Sequence, residues 1–295
     1  MTAVTRRSWR LTKGKGLANM NVIQRNYVQQ QLHADQAAPI LLYAHGFGCN
    51  QEMWSHLTPE FAASHRQVLF DYVGSGQSDG RAFDPSRYNS LHGYVQDVID
   101  VCEALSLKRE VTFVGHSVSC SIGILASIQR PELFSRMILV GPSPCFLNAP
   151  PDYTGGFERA DLDGLLELMD QNYIGWAQYF APLVAGSTLS QPLTAELSNS
   201  FCSTDPVMAR LFAEVTFFSD IRDQLQHCTT PSLILQHRND ALVPLSVGDY
   251  LHQNLTGSKL EILEVSGHCA HMSHPDLVVA NMRGYLSGSD SLVLP

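Results

Sequence analysis

The pentapeptide Gly115-His116-Ser117-Val118-Ser119 constrains this chain more than any other feature. It comes directly after a short β-rich run, Glu110–Gly115 (EVTFVG). It comes directly before a helical run, Ser117–Gln129 (SVSCSIGILASIQ), which stops ahead of Pro131. A serine on so sharp a strand-to-helix turn has its hydroxyl lifted above the strand ends, and its neighbours must be small. Gly115 meets that demand two residues before the serine. Two residues after it, where glycine is usual, stands Ser119, a small variant. The turn predicts Ser117 as a nucleophile. It also predicts that the Val118 amide, at the helix N-terminus, donates to an oxyanion. A pentapeptide of this kind also arises by chance, so the rest of the chain has to supply its partners.

The surrounding pattern is that of an α/β fold with a mostly parallel central sheet flanked by helices. Asn21–Leu32 alternates at period two and is expected to open the sheet. Pro39–His45, Gln67–Asp71, Met137–Gly141, Pro231–Gln236 and Lys259–Val265 are short apolar runs suited to buried strands. Between them, Tyr88–Leu105 carries apolar residues at helical spacing. Strands alternating with helices imply βαβ units. Residues 143–229 break the alternation: helical patterns at Asp161–Asn172, Trp176–Phe180 and Thr194–Phe201 occur among dense aromatics. An all-helical insert of this kind is expected to be a cap. Residues 20–142 and 230–288 then form the core. Most cap aromatics should join the cap to the sheet, and a few should face a cleft.

Three further positions complete the chemistry that Ser117 needs. His45-Gly46-Phe47-Gly48 lies at the end of the expected strand Pro39–His45, where a loop can present the Phe47 amide as a second oxyanion donor. Asp240 follows the strand ending at Gln236, and His268 the strand ending at Val265. Loops at the carboxyl ends of parallel strands are where such sheets place their sites. His268 is expected to take the Ser117 proton, and Asp240 to hold its imidazole and stabilise the imidazolium. Asp223 and Asp249 are weaker acids for this role, since neither follows a strand. His271 and His274, at steps of three from His268, raise the thought of a metal. No carboxylate ligand is near and a serine turn needs none, so no metal and no cofactor is expected. His116 is expected to point away from the pocket and to be structural.

Composition narrows the function classes. The hydrophobic fraction is 44% and the charged fraction 16%, ordinary for a globular enzyme. A net charge of −9 argues against nucleic acid and anionic membranes as partners. The sequence contains no run of 18 apolar residues, so no transmembrane helix is expected. Seven cysteines without a CxxC suggest reduced thiols and a cytoplasmic location. Residues 1–19 carry five basic residues and no apolar stretch. They are expected to be a disordered extension, with the folded chain starting near Met20.

The segments HGFGCNQEMW, LFDYVGSGQSDGRAFD, GHSVS, VGPSPCFLN, YTGGFE, FCSTDP, PSLILQ and GHCAHMSHPD resemble the RsbQ-type α/β-hydrolases. These are bacterial relatives of the plant strigolactone and karrikin receptors. The resemblance runs from about Asn21 to Leu286. It implies a four-helix, V-shaped cap and a closed, mostly hydrophobic pocket over the serine. It carries the catalytic roles to Ser117, Asp240 and His268, and the oxyanion hole to Phe47 and Val118. It suggests Phe146, Phe157, Trp176, Phe180 and Phe217 for the pocket. Two functions are then open. One is hydrolysis of a small apolar ester or lactone through an acyl-serine. The other is a stress-signalling receptor that binds a small hydrophobic ligand and acts on a PP2C-type phosphatase with a sensor domain. GHSVS is closer to the plant receptors than to the bacterial form, which often has glycine in place of Ser119.

Overall fold

The computed structural model describes residues 10–11, 22–108, 111–186 and 191–288. Its strands are β1 (Arg10–Leu11), β2 (Gln29–Gln31), β3 (Ile40–Ala44), β4 (Arg66–Leu69), β5 (Val111–His116), β6 (Phe134–Val140), β7 (Ser232–Asn239) and β8 (Ser258–Ser266). They form one sheet of order β1-β2-β4-β3-β5-β6-β7-β8. Every residue of β3 and β5 is buried, which is why both lack a polar face. Only β1 and β2 run antiparallel to their neighbours. From β4 to β8 all pairings are parallel.

Parallel pairing gathers the carboxyl ends of the strands on one edge. Ala44 pairs with Gly115, His116 with Val140, and Asn239 with Ser266. The chain leaves the sheet next to these pairs at His45–Gly48, Ser117, Asp240 and His268. Four sites far apart in sequence are therefore brought to one rim by register alone.

The longer helices are α1 (Leu91–Ala104), α2 (Val118–Gln129), α3 (Arg159–Gln171), α4 (Tyr173–Ala185), α5 (Gln191–Ser203), α6 (Pro206–Phe218), α7 (Leu245–Asn254) and α8 (Pro275–Ser287). Helix α2 is buried from Val118 to Ser127 and packs on β5, β6 and α1. A helix apolar all round belongs in a core. Helices α3 to α6 all lie between β6 and β7, and are called the cap below. Within it α4 packs against α3 and α5, and α3 against α6. Trp176 stacks between Tyr173 and Phe180, with ring centroids at 5.5 and 5.2 Å. Phe47, from the core loop after β3, meets Trp176, Phe212 and Phe217 edge-on at 5.7–5.9 Å. One core side chain thus plugs the aromatic underside of the cap.

Two expectations need correction. The alternating run Asn21–Leu32 is not one strand, because residues 22–25 form a helical turn and only Gln29–Gln31 is extended. Tertiary bonds override the pattern. Buried Asn26 donates to the Asp71 carbonyl and to Asp97, both at 3.1 Å, and Arg25 pairs with Asp97 and Asp100. The basic extension is also not wholly apart from the fold, since Arg10–Leu11 pairs with Gln29–Gln30 at the sheet edge. The rest of that extension, residues 1–9 and 12–19, lies outside the described residues.

Candidate active site

Ser117 lies between β5 and α2 with φ 56° and ψ −123°. A non-glycine residue in that region stores about 1–3 kcal/mol of strain and persists only where its neighbours over-determine it. The close turn also requires Gly115. A Cβ there would lie 2.7 Å from the Phe113 ring and 3.0 Å from the Ser119 backbone. The Ser117 amide donates to the Val140 carbonyl at 2.9 Å, which anchors the turn to β6. Val118 is the first residue of α2. Helix geometry gives its N–H no intrahelical acceptor, so that donor is free to face a reacting oxygen.

The three residues expected to act together do meet. His268 Nδ1 lies 2.6 Å from Asp240 Oδ2, and His268 Nε2 lies 2.8 Å from Ser117 Oγ. A carboxylate only accepts, so Nδ1 carries the proton and Nε2 accepts the Ser117 hydroxyl. Asp240 is fixed independently: its Oδ1 accepts from the amides of Leu242 and Val243 at 2.8 and 3.2 Å. Burial pushes the Asp240 carboxyl up, but His268 and His237 outweigh it and hold the group well below the usual carboxylate range. Asp240 is therefore charged while His268 gains or loses its proton. The arrangement can remove a proton from Ser117 as the oxygen attacks a carbonyl and then stabilise the imidazolium that results.

His268 is also tied to the cap. Its amide donates to the Val184 carbonyl at 2.8 Å. The preceding residue must be glycine: at φ +95° a Cβ on Gly267 would fall 2.3 Å from the Ala185 carbonyl oxygen. From below, His116 Nε2 donates to the His268 carbonyl at 2.9 Å, and its ring packs on His268 and His271. His116 thus has the structural contacts expected of it, although it also lines the cavity floor. His271 is buried between His116 and Trp54, and His274 caps α8, so neither approaches the Ser117 hydroxyl as His268 does.

Ser119 is more than a small residue. Its hydroxyl donates to the His45 carbonyl at 2.5 Å and accepts from Tyr72 OH at 2.9 Å. His45 Nε2 accepts from the Tyr72 amide at 3.1 Å, which leaves Nδ1–H to donate to the Gly46 carbonyl at 2.9 Å. These bonds lash the His45–Gly48 loop, and with it Phe47, to the Ser117 turn.

Above Ser117 is a narrow cavity of about 20 Å³. Of the five expected pocket residues, Phe146, Phe180 and Phe217 line it. Phe157 and Trp176 do not. Phe157 is held one layer back by pairing with Leu147 beside Phe146, and Trp176 is fully buried behind Phe180 and Phe47. Phe201, Val184, Leu242 and Thr216 line the wall and were not singled out by sequence. The main residue missed is His237. It is fully buried, its Nδ1–H donates to the Gly267 carbonyl at 3.0 Å, and the same nitrogen lies 3.5 Å from Asp240 Oδ2. Asp240 is thus held between two imidazoles. The signal was available: in LQHRND, His237 stands three residues before Asp240 at the end of a buried strand. Among the described residues, His237, Asp240 and His268 are also the one group with atoms close enough to share a metal ion.

A sequence profile described as the alpha/beta hydrolase family matches residues 41–281. A karrikin insensitive 2 receptor of Petunia hybrida is 41% identical over 240 residues, 81% of this chain and 88% of that protein. A strigolactone esterase of Arabidopsis thaliana is 39% identical, covering 80% of this chain and 88% of its own. Among solved structures, a hydrolase from Oleispira antarctica superimposes with a TM-score of 0.88 at 45% identity, over 91% of this chain and 97% of that one.

Two outcomes follow from the site's geometry. Ser119→Ala strands the Tyr72 hydroxyl and the His45 carbonyl, and should lower stability by about 1–3 kcal/mol in a denaturant melt. A neutral result would remove Ser119 as the tie between the two loops. Second, a depressed Asp240 contributes stability above the unfolded carboxylate's pKa of about 3.9 and loses it only as pH falls through the lower folded value. Protonation of Asp240 should therefore add nothing to the acid loss of Ser117 reactivity above about pH 4. A pH–rate profile with a limiting slope of two above about pH 4 would contradict this.

Proposed function

The chain belongs to the alpha/beta hydrolase family, and on that premise we propose that it hydrolyses a small apolar ester or lactone through an acyl-Ser117 intermediate. The observation that carries this reading is the continuous chain Ser117–His268–Asp240, at 2.8 and 2.6 Å, on the floor of an aromatic cavity. Ser117 attacks the carbonyl carbon and gives its proton to His268. The amides of Phe47 and Val118 hold the oxyanion, each such donor being worth roughly 10²–10³ in rate. His268 then protonates the leaving alcohol, and in a second round deprotonates the water that releases the acid. For a lactone the leaving alcohol stays attached, and the product is one hydroxy acid. Phe146, Phe180, Phe201 and Phe217 favour apolar substrates, and the cavity's size argues against long acyl chains.

A second reading has support of its own. The cavity is nearly shut, with Ser117 6% and His268 2% exposed, and relatives at about 40% identity are named as receptors. On this reading the same site binds a small hydrophobic ligand, turns it over slowly and changes how the protein engages a partner. A PP2C-type phosphatase with a sensor domain is the partner that the RsbQ-like resemblance suggests.

One experiment separates the two. Hydrolysis of p-nitrophenyl acetate is followed with burst and steady-state phases resolved. Ser117→Ala should abolish it, with a loss of roughly 10³-fold or more. Sustained turnover favours the enzyme reading. A single burst followed by near silence favours the receptor reading. Equal rates in both proteins would rule out Ser117 as nucleophile.

A further inference from the structure

The cavity above Ser117 has one feature that an apolar substrate does not explain. Two hydroxyl-bearing residues, Ser117 and Thr216, are among those that line it. The Ser117 hydroxyl is bonded to His268. The Thr216 hydroxyl is fully buried and has no hydrogen-bond partner among the described residues. Thr216 lies in the last turn of α6, next to Phe217, so it belongs to the cap side of a cavity whose nucleophile belongs to the core. Its wall neighbours Phe146, Phe180, Phe201 and Phe217 offer carbon only.

A buried hydroxyl without a partner is unfavourable, and a threonine in a helix normally avoids this by bonding back to its own helix. Valine has the same shape and would fill the position at no such cost. An orphan hydroxyl on a residue that lines a binding cavity is instead the kind of group that orients a ligand, since pockets combine apolar walls with a few placed polar atoms. Discrimination from such a group is strong, because a ligand that fails to meet it leaves it desolvated and unpaired.

We propose that Thr216 is a specificity-determining residue, and that the preferred substrate is a compact ester or lactone carrying a second oxygen, ether, keto or ring, that accepts a hydrogen bond from the Thr216 hydroxyl while its carbonyl meets Ser117. This rests on the hydrolase reading above and names the substrate class within it.

The test uses pairs of p-nitrophenyl esters that differ by one atom: methoxyacetate against butyrate, and 3-methoxypropanoate against pentanoate. Each pair has the same chain length, and the intrinsic reactivity difference cancels when variants are compared. Thr216→Val should lower kcat/KM for at least one ether ester about tenfold relative to its hydrocarbon partner, the usual size of one hydrogen bond in discrimination. Thr216→Ser, which keeps the hydroxyl, should retain most of the preference. Ratios unchanged in Thr216→Val for both pairs would overturn the proposal. The melting temperature is a second readout. It should stay level or rise in Thr216→Val, and a clear fall would mean that the hydroxyl is already held by the protein, which also overturns it. Failure of the hydrolase reading would look different: the wild type would cleave neither member of either pair. The subsite is then decided by equilibrium binding of methyl methoxyacetate and methyl butyrate to Ser117→Ala with and without Thr216→Val. Loss of preference for the ether supports the proposal, and equal binding sinks it.

Discussion

A serine backbone at φ 56° and ψ −123° is held only if its surroundings leave it nowhere else to go. The fold supplies that confinement. Before the serine, β5 is fixed between β3 and β6. After it, α2 is buried on all sides. Within the turn, Gly115 leaves room for the Ser119 backbone, and the Ser117 amide is bonded to Val140. The Ser119 hydroxyl then extends the constraint sideways to His45, so the loop bearing Phe47 is set by the turn that sets the nucleophile. Parallel register brings Asp240 and His268 to the same rim. The cavity, the cap and the proposed chemistry all depend on this strained turn.

The cap is joined to the chemistry at more than its aromatic face. Phe47 combines two functions: its amide is the expected oxyanion donor, and its ring is embedded among Trp176, Phe212 and Phe217. His268 accepts support from below through His116 and donates its amide upward to Val184 of α4. A displacement of α4 away from the core would therefore break a bond made by the histidine itself. This links cap position to the orientation of the base, and it explains why glycine is needed at position 267 on steric grounds.

Much of this was legible in the sequence because its signals are local. A glycine, a serine and a small residue between an apolar run and a helical run define the turn without reference to anything distant. Strand ends before Asp240 and His268 were legible for the same reason, and the structure brings the three side chains together. What escaped was set by tertiary contact. The alternation in Asn21–Leu32 imitates a strand, but Asn26 and Arg25 are drawn to Asp71, Asp97 and Asp100, residues that no local pattern connects to them. Trp176 and Phe157 are aromatic like the true lining residues, and only packing decides which ring faces the cavity and which stands behind it. His237 and Thr216 carried no periodic signal. The spacing of His237 from Asp240 was readable at a strand end, whereas the position of Thr216 appears only when the cavity wall is in place.

The most direct measurement of the central claim is covalent labelling with a small alkyl fluorophosphonate, followed by peptide mass spectrometry. Such a reagent reports an activated serine without requiring that the natural substrate be known. The account predicts one adduct per chain, on the peptide containing Ser117, with labelling strongly slowed in His268→Ala. An adduct on another residue, or Ser117 labelling that is indifferent to His268, would contradict it.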